Sequence, residues 1–187
     1  MRWIDAVNGA KDAQRWLPYG RSGPSSDVVE GATIQVDWRG VGILRAGDAV
    51  SCVYTVMETL LTAAKMMGVE GEISSEDIEE LKRWCFVYAI PKHRRGIAGG
   101  LEEVGLGYQV PTDEAQPGDV AQIWDVVEGR DVFGHCVFIM GREADTSTPA
   151  FSTWSAEPNK GNVMDWRYIT HPNASKKREW YVGRVDF

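Results

Sequence analysis

At 187 residues the chain is long enough to bury a sizeable core, and its 43% hydrophobic and 25% charged content is that of an ordinary globular protein. A net charge of −7, with no basic run longer than Lys176-Lys177-Arg178, argues against nucleic acid and against an anionic membrane surface as partners. No stretch approaches the ~20 apolar residues of a membrane span, and Met1-Arg2-Trp3-Ile4-Asp5 lacks the apolar centre of a secretory signal. The expectation is a cytoplasmic protein, one exported by a route that needs no such signal, or one whose signal has been removed.

Taken in chain order, a first helix is predicted over Ile4 to Trp16. Turn signals follow at Leu17-Pro18-Tyr19-Gly20 and Ser22-Gly23-Pro24-Ser25-Ser26, and Ala32 to Trp38 alternates like a strand. Residues 1–47 therefore read as an N-terminal extension that covers the substrate side of a core over 48–187, the whole forming one domain. The clearest helix begins at Cys52. Val53, Val56, Met57, Leu60, Leu61 and Ala64 recur at helical spacing, and Gly68 ends it. A second helix is expected from Ser74 or Ser75, with Glu76 and Asp77 in its first turn. It carries Ile78, Leu81, Cys85 and Tyr88 on one face and stops before Pro91.

The glycine-rich stretches Gly96–Gly100 and Gly105–Gly107 separate these helices from a run of strands. Gln116-Pro117-Gly118-Asp119 is a turn into Val120 to Trp124, and a loop with Gly129 and Gly134 leads into His135 to Met140. Phe151 to Ala156 and Trp180 to Phe187 follow. Helices first and strands after, joined by short links, predict an α+β fold with an antiparallel sheet packed on the Cys52 helix.

Three cysteines, none in a Cys-x-x-Cys spacing, do not make a disulfide framework. His93 and His171 are isolated in sequence, which speaks against structural zinc, so no metal and no cofactor is expected. Cys85 lies on a buried stripe and reads as an inert thiol. Cys52, in the first turn of its helix, is different. There the macrodipole and the unsatisfied amides favour a thiolate, and the same amides can donate to an oxyanion.

About eighty residues downstream, period two puts His135, Val137 and Ile139 on one strand face and turns Cys136 to the other. Cys52 and His135 are thus the candidate nucleophile and base. A third group should orient the imidazole. The next strand offers Thr153, Ser155 and Glu157 on one face and Trp154 on the other. Glu157 is the chemically stronger orienter, Ser155 the better centred, and both stay open.

These features together resemble the NlpC-type family of papain-like peptidases and amidases. The residues that carry the resemblance are Cys52 opening an apolar helix, Gln116-Pro117-Gly118-Asp119 running into a strand, and Gly134-His135-Cys136-Val137-Phe138-Ile139. The likeness covers roughly residues 48 to 160. It departs from the family where Ser51-Cys52-Val53-Tyr54 replaces the usual Asp-Cys-Ser-Gly. It departs again at the third position, commonly His, Asn or Gln, where the nearest register places Ser155.

The resemblance implies a papain-like fold, with N-terminal helices on an antiparallel sheet of about five strands. It also implies a thiolate that attacks an amide carbonyl, an acyl-enzyme, and hydrolysis by a water activated by His135. The usual substrate in that family is a peptide bond of bacterial cell-wall (murein) peptide. Tyr54 would line the substrate groove, and Ser51 and Trp154 stand beside the presumed site as further substrate contacts. A Cys-His acyltransferase or deamidase effector and a catalytically silent papain-like binding module are the alternatives. Oligomeric state is not legible.

Overall fold

The computed structural model describes residues 1–20, 29–86, 91–143 and 148–187, without the side chains of Pro91, Lys92 and Val132. The chain is α+β. Its helices are α1 (Trp3–Ala13), α2 (Cys52–Met67), α3 (Ser75–Phe86) and α4 (Gly96–Glu103), and its strands run from β1 (Val36–Trp38) to β8 (Lys177–Val185). Among the described residues no helix is long and apolar enough to cross a membrane. Tyr88 and the Ser22–Ser26 turn lie outside the described residues.

The chain divides into two compact units. One is Met1–Glu80 with Ser155–Val163; the other is Leu81–Trp154 with Met164–Phe187. Residues 1–47 thus share a unit with α2, and the division does not fall at the boundary expected near residue 47.

In the first unit, α2 starts and stops where its periodicity predicts, between extended Ser51 and left-handed Gly68. Its apolar stripe is buried as expected, but so are Thr55, Glu58 and Thr59 on its polar side. The helix is therefore enclosed nearly all round. The reason is the N-terminal segment, whose polar groups meet those of the helix. Gln14, just past the end of α1, donates through Nε2 to the Thr55 carbonyl (3.0 Å) and to Thr59 Oγ1 (2.7 Å). The Thr33 amide donates to Glu58 Oε2 at 2.5 Å, and the Thr33 hydroxyl donates to Glu58 Oε1.

Burying side chains such as Leu60 and Leu61 contributes roughly 2 kcal/mol each, a gain that unmet polar groups in the same core would cancel. The strand expected over Ala32 to Trp38 is shorter than predicted. Only β1 pairs, with β2 (Val41–Leu44) as an antiparallel hairpin, whereas Ala32 makes an isolated bridge to Ala46.

The second unit is built on a six-stranded sheet in the order β3-β8-β4-β5-β6-β7, against the about five strands that the resemblance implies. Its other strands are β3 (Gly107–Val110), β4 (Val120–Val127), β5 (Arg130–Glu143), β6 (Ala150–Glu157) and β7 (Gly161–Tyr168). Every pairing from β3 through β6 is antiparallel. Ser155–Val163, the tip joining β6 to β7, belongs to the first unit.

α4 packs on β3, β4 and β8. It occupies Gly96–Gly100, a stretch whose glycines predict a connector. A Cβ on Gly99 would lie 2.5 Å from the Trp84 ring, and one on Gly100 would lie 2.7 Å from Leu81. Close approach to α3 demands glycine here, and that packing outweighs a helix-propensity cost of about 1 kcal/mol per glycine.

Candidate functional site

Cys52 is the first residue of α2 and only 7% exposed. Ser51 precedes it with extended backbone (φ −114°, ψ 172°), accepts the Thr55 amide through its carbonyl at 3.0 Å, and makes no side-chain cap. The thiol is therefore at the N-terminal end of the helix macrodipole, a setting that favours negative charge. Tyr54, in the same turn, is half-buried. Burial first, and then the charge of Glu30, hold its hydroxyl above the usual phenol range, with Arg45 acting the other way. Cys85 and Cys136 are both 2% exposed, and all three cysteines are reduced.

The tip that carries Ser155 and Glu157 shares a unit with Cys52, and both residues are buried. Within that unit the tip is tied to the N-terminal segment. Asn162 Nδ2 donates to Gln14 Oε1 at 3.1 Å, and Ala156 packs with Leu17, Tyr19 and Val50. Trp154, one residue before the tip, lies opposite Phe138 in the β5–β6 ladder of the other unit and is half-buried.

His135 is 2% exposed and sits in the second unit as the sixth residue of β5, not at a strand start. The strand begins at Arg130, so Gly134 is inside the ladder opposite Trp124 and not in a loop. The indole explains the glycine. A Cβ at Gly134 would lie 2.6 Å from the Trp124 ring, which Arg94 covers at 5.5 Å and whose Nε1 donates to the Arg94 carbonyl at 2.7 Å.

The Pro-Gly-Asp turn is equally structural. Asp119 accepts the Gln116 amide at 2.9 Å and takes a two-point bond from Arg184 of β8, at 3.0 and 2.9 Å. Gly118 and Ile139 close the turn onto β5 through two 2.8 Å backbone bonds. The motif therefore pins β4, β5 and β8 together and sets the strand that bears His135.

The main residue that local pattern missed is Arg167. Its Nη2 lies 3.1 Å from His135 Nε2 and 3.2 Å from Asp165 Oδ2, and Thr153 Oγ1 donates to Asp165 Oδ1 at 2.8 Å. Both charged residues are on β7, where hydropathy is inverted. Asp165 and Arg167 are partly buried, while Met164 (53%), Trp166 (51%) and Tyr168 (41%) are exposed. Alternation alone would send Arg167 to solvent. The group beside His135 thus comes from β7 as a cation, a residue type and a strand that local pattern did not offer.

The other two histidines are held by structure. His93 stacks on Trp84 with centroids 4.6 Å apart. His171 accepts the Asn173 amide at Nδ1 (2.9 Å) and faces Asp125, at 3.5 Å, with Nε2. Among the described residues no group of three or more His, Cys, Asp or Glu side chains could hold a metal. A cleft of about 430 Å³ in the second unit is lined by Arg94, Val126, Glu128, Lys177 and Glu179 and by none of the candidate residues. Comparison with family profiles, with curated proteins and with solved structures gives no match.

Proposed function

We propose that the protein is a papain-like cysteine hydrolase of amide bonds, with Cys52 as nucleophile and His135 as its proton-transfer partner. The observation that carries this reading is the position of Cys52 at the opening of the 16-residue helix α2. There the amides of the first turn stabilise a thiolate and can receive the oxyanion of a tetrahedral intermediate. A buried histidine on a sheet strand, locked in place by the Pro-Gly-Asp turn, supplies the second group the chemistry needs.

In this scheme His135 takes the thiol proton and sulfur adds to the carbonyl carbon of the amide. The intermediate collapses as His135 passes that proton to the departing amine, leaving a thioester on Cys52. Water, deprotonated by His135, then adds to the thioester, and the thiolate leaves as the acid is released. Peptides of the bacterial cell wall are the first substrates to try. Ser155 and Glu157 are the proposed orienting residues, and Ser51, Tyr54 and Trp154 the proposed substrate contacts.

The test is mass-spectrometric capture of an acyl group on Cys52 while amide libraries and purified wall peptides are turned over. Amine release and the adduct should both vanish in Cys52→Ala, and amine release should fall by at least about a hundredfold in His135→Ala. Turnover that survives both substitutions would sink the proposal.

A second reading, a silent binding module of the same architecture, is favoured by one contact. The Arg167 guanidinium sits on His135 Nε2 and occupies the one basic lone pair of the ring, which leaves Nδ1 protonated.

A further inference from the structure

A guanidinium has only N–H donors, so a ring nitrogen 3.1 Å from Arg167 Nη2 must be the acceptor. A neutral imidazole has a single lone pair of this kind. In His135 it is on Nε2 and is spent on Arg167; Nδ1 then carries the proton. The imidazole so held can donate a hydrogen bond through Nδ1 but cannot take a proton from a thiol. A proton placed on Nε2 would meet the guanidinium N–H directly.

We infer that Arg167 is a positioning residue that restrains the catalytic pair, holding His135 in the tautomer that is not a base until the guanidinium moves away. The inference rests on the hydrolase reading only for its consequence at Cys52; the tautomer itself follows from the contact. Two features of the second unit make the restraint specific. His135 is 2% exposed and its ring centroid lies 5.7 Å from that of Phe133, at 30° to it, so burial and this ring contact limit the imidazole's freedom. Asp165, 3.2 Å from the guanidinium and itself fixed by Thr153, gives Arg167 a carboxylate to stay with when it leaves the imidazole. Release therefore needs a small swing of one side chain and no loss of its charge partner.

The experiment uses the full chain with ¹⁵N-labelled histidine and reads the imidazole nitrogens of His135 at neutral pH. The wild type should show a bare Nε2 and a protonated Nδ1. Arg167→Met should shift the population toward the Nε2–H form, with Arg167→Gln as a second variant in case the first fails to fold. In parallel, Cys52 alkylation by iodoacetamide at pH 7 should be slow in the wild type and rise about tenfold or more in Arg167→Met, as the freed imidazole becomes able to accept the thiol proton.

A protonated Nε2 in the wild type, or the same tautomer in a folded Arg167→Met, overturns the inference. A tautomer shift with no change in alkylation upholds the hold of Arg167 on the His135 tautomer and overturns the pairing of Cys52 with His135, and with it the restraint on a catalytic pair.

Discussion

Glu58 in the first unit and Glu179 in the second are carboxylates handled in opposite ways. Glu58 is 1% exposed on α2 and accepts from the amide and hydroxyl of Thr33; burial pushes its carboxyl above the usual range, partly offset by those two bonds. Glu179 lies on β8 at the sheet rim. The hydrogen bond from Arg94, then that from Lys177, holds it down to about 2. The two units solve the same problem by different means: the first joins buried polar groups to neutral donors, and the second sets ion pairs at the edge of an apolar sheet. Neutral donors tolerate a charge without cancelling it, whereas a guanidinium cancels it outright.

The strongest way to break the ion-pair strategy is Asp125→Ala. Arg178 grips Asp125 at 2.7 and 3.1 Å, with about a tenth of each side chain exposed. Removal leaves a cation with little water, and a loss of about 3 kcal/mol in urea unfolding is expected. A loss below about 0.5 kcal/mol would mean that the pair behaves like a surface one.

The next effect sharpens the contrast through pH. Glu58 has a folded-state pKa above its unfolded value, so the native state holds that proton more tightly, and its stabilising effect is full below the unfolded pKa. This contribution should fade as pH rises above the ordinary glutamate range near 4.5, and Glu58→Gln should remove that loss. Glu179 has the opposite sign. Its contribution is present above 4.5 and is lost as pH falls toward 2, so Glu179→Gln should flatten the acid limb. Denaturant midpoints of both variants and the wild type across pH 2 to 8 check this; parallel curves for all three would refute it. The smallest effect belongs to Lys177→Ala. Its ammonium bonds Glu179 at 2.9 Å but is 74% exposed, and a change under about 0.5 kcal/mol is expected by the same unfolding assay.

Much of the fold is legible where side chains obey local rules. The bounds of α2 follow from its apolar period and from Gly68. The start of α3 follows from Ser74, whose hydroxyl accepts the Asp77 amide at 3.0 Å and so caps the helix. The core strands β4, β5, β6 and β8 follow from alternation and turn residues, although β5 starts earlier than its glycine suggests. The candidate site was readable only as residue types: a helix-start thiol and a strand histidine. The group at 3.1 Å from His135 Nε2 was not readable, because Arg167 is on a strand whose polar face is turned inward.

The sequence by itself determined the α+β class, the helix that opens at Cys52 and the strand that carries His135. These depend on periodicity and caps, which act between residues a few positions apart. Tertiary structure alone decided that Gly96–Gly100 is a helix, that Glu58 is buried and that Arg167 meets His135. In each of those cases local preference points the other way and a distant partner reverses it. An indole leaves no room for a Cβ, a threonine supplies two donors to a carboxylate, and an imidazole accepts from a guanidinium. Polar and glycine residues take their place from what they meet, and the partner's position in space is not written in their own neighbourhood of the chain.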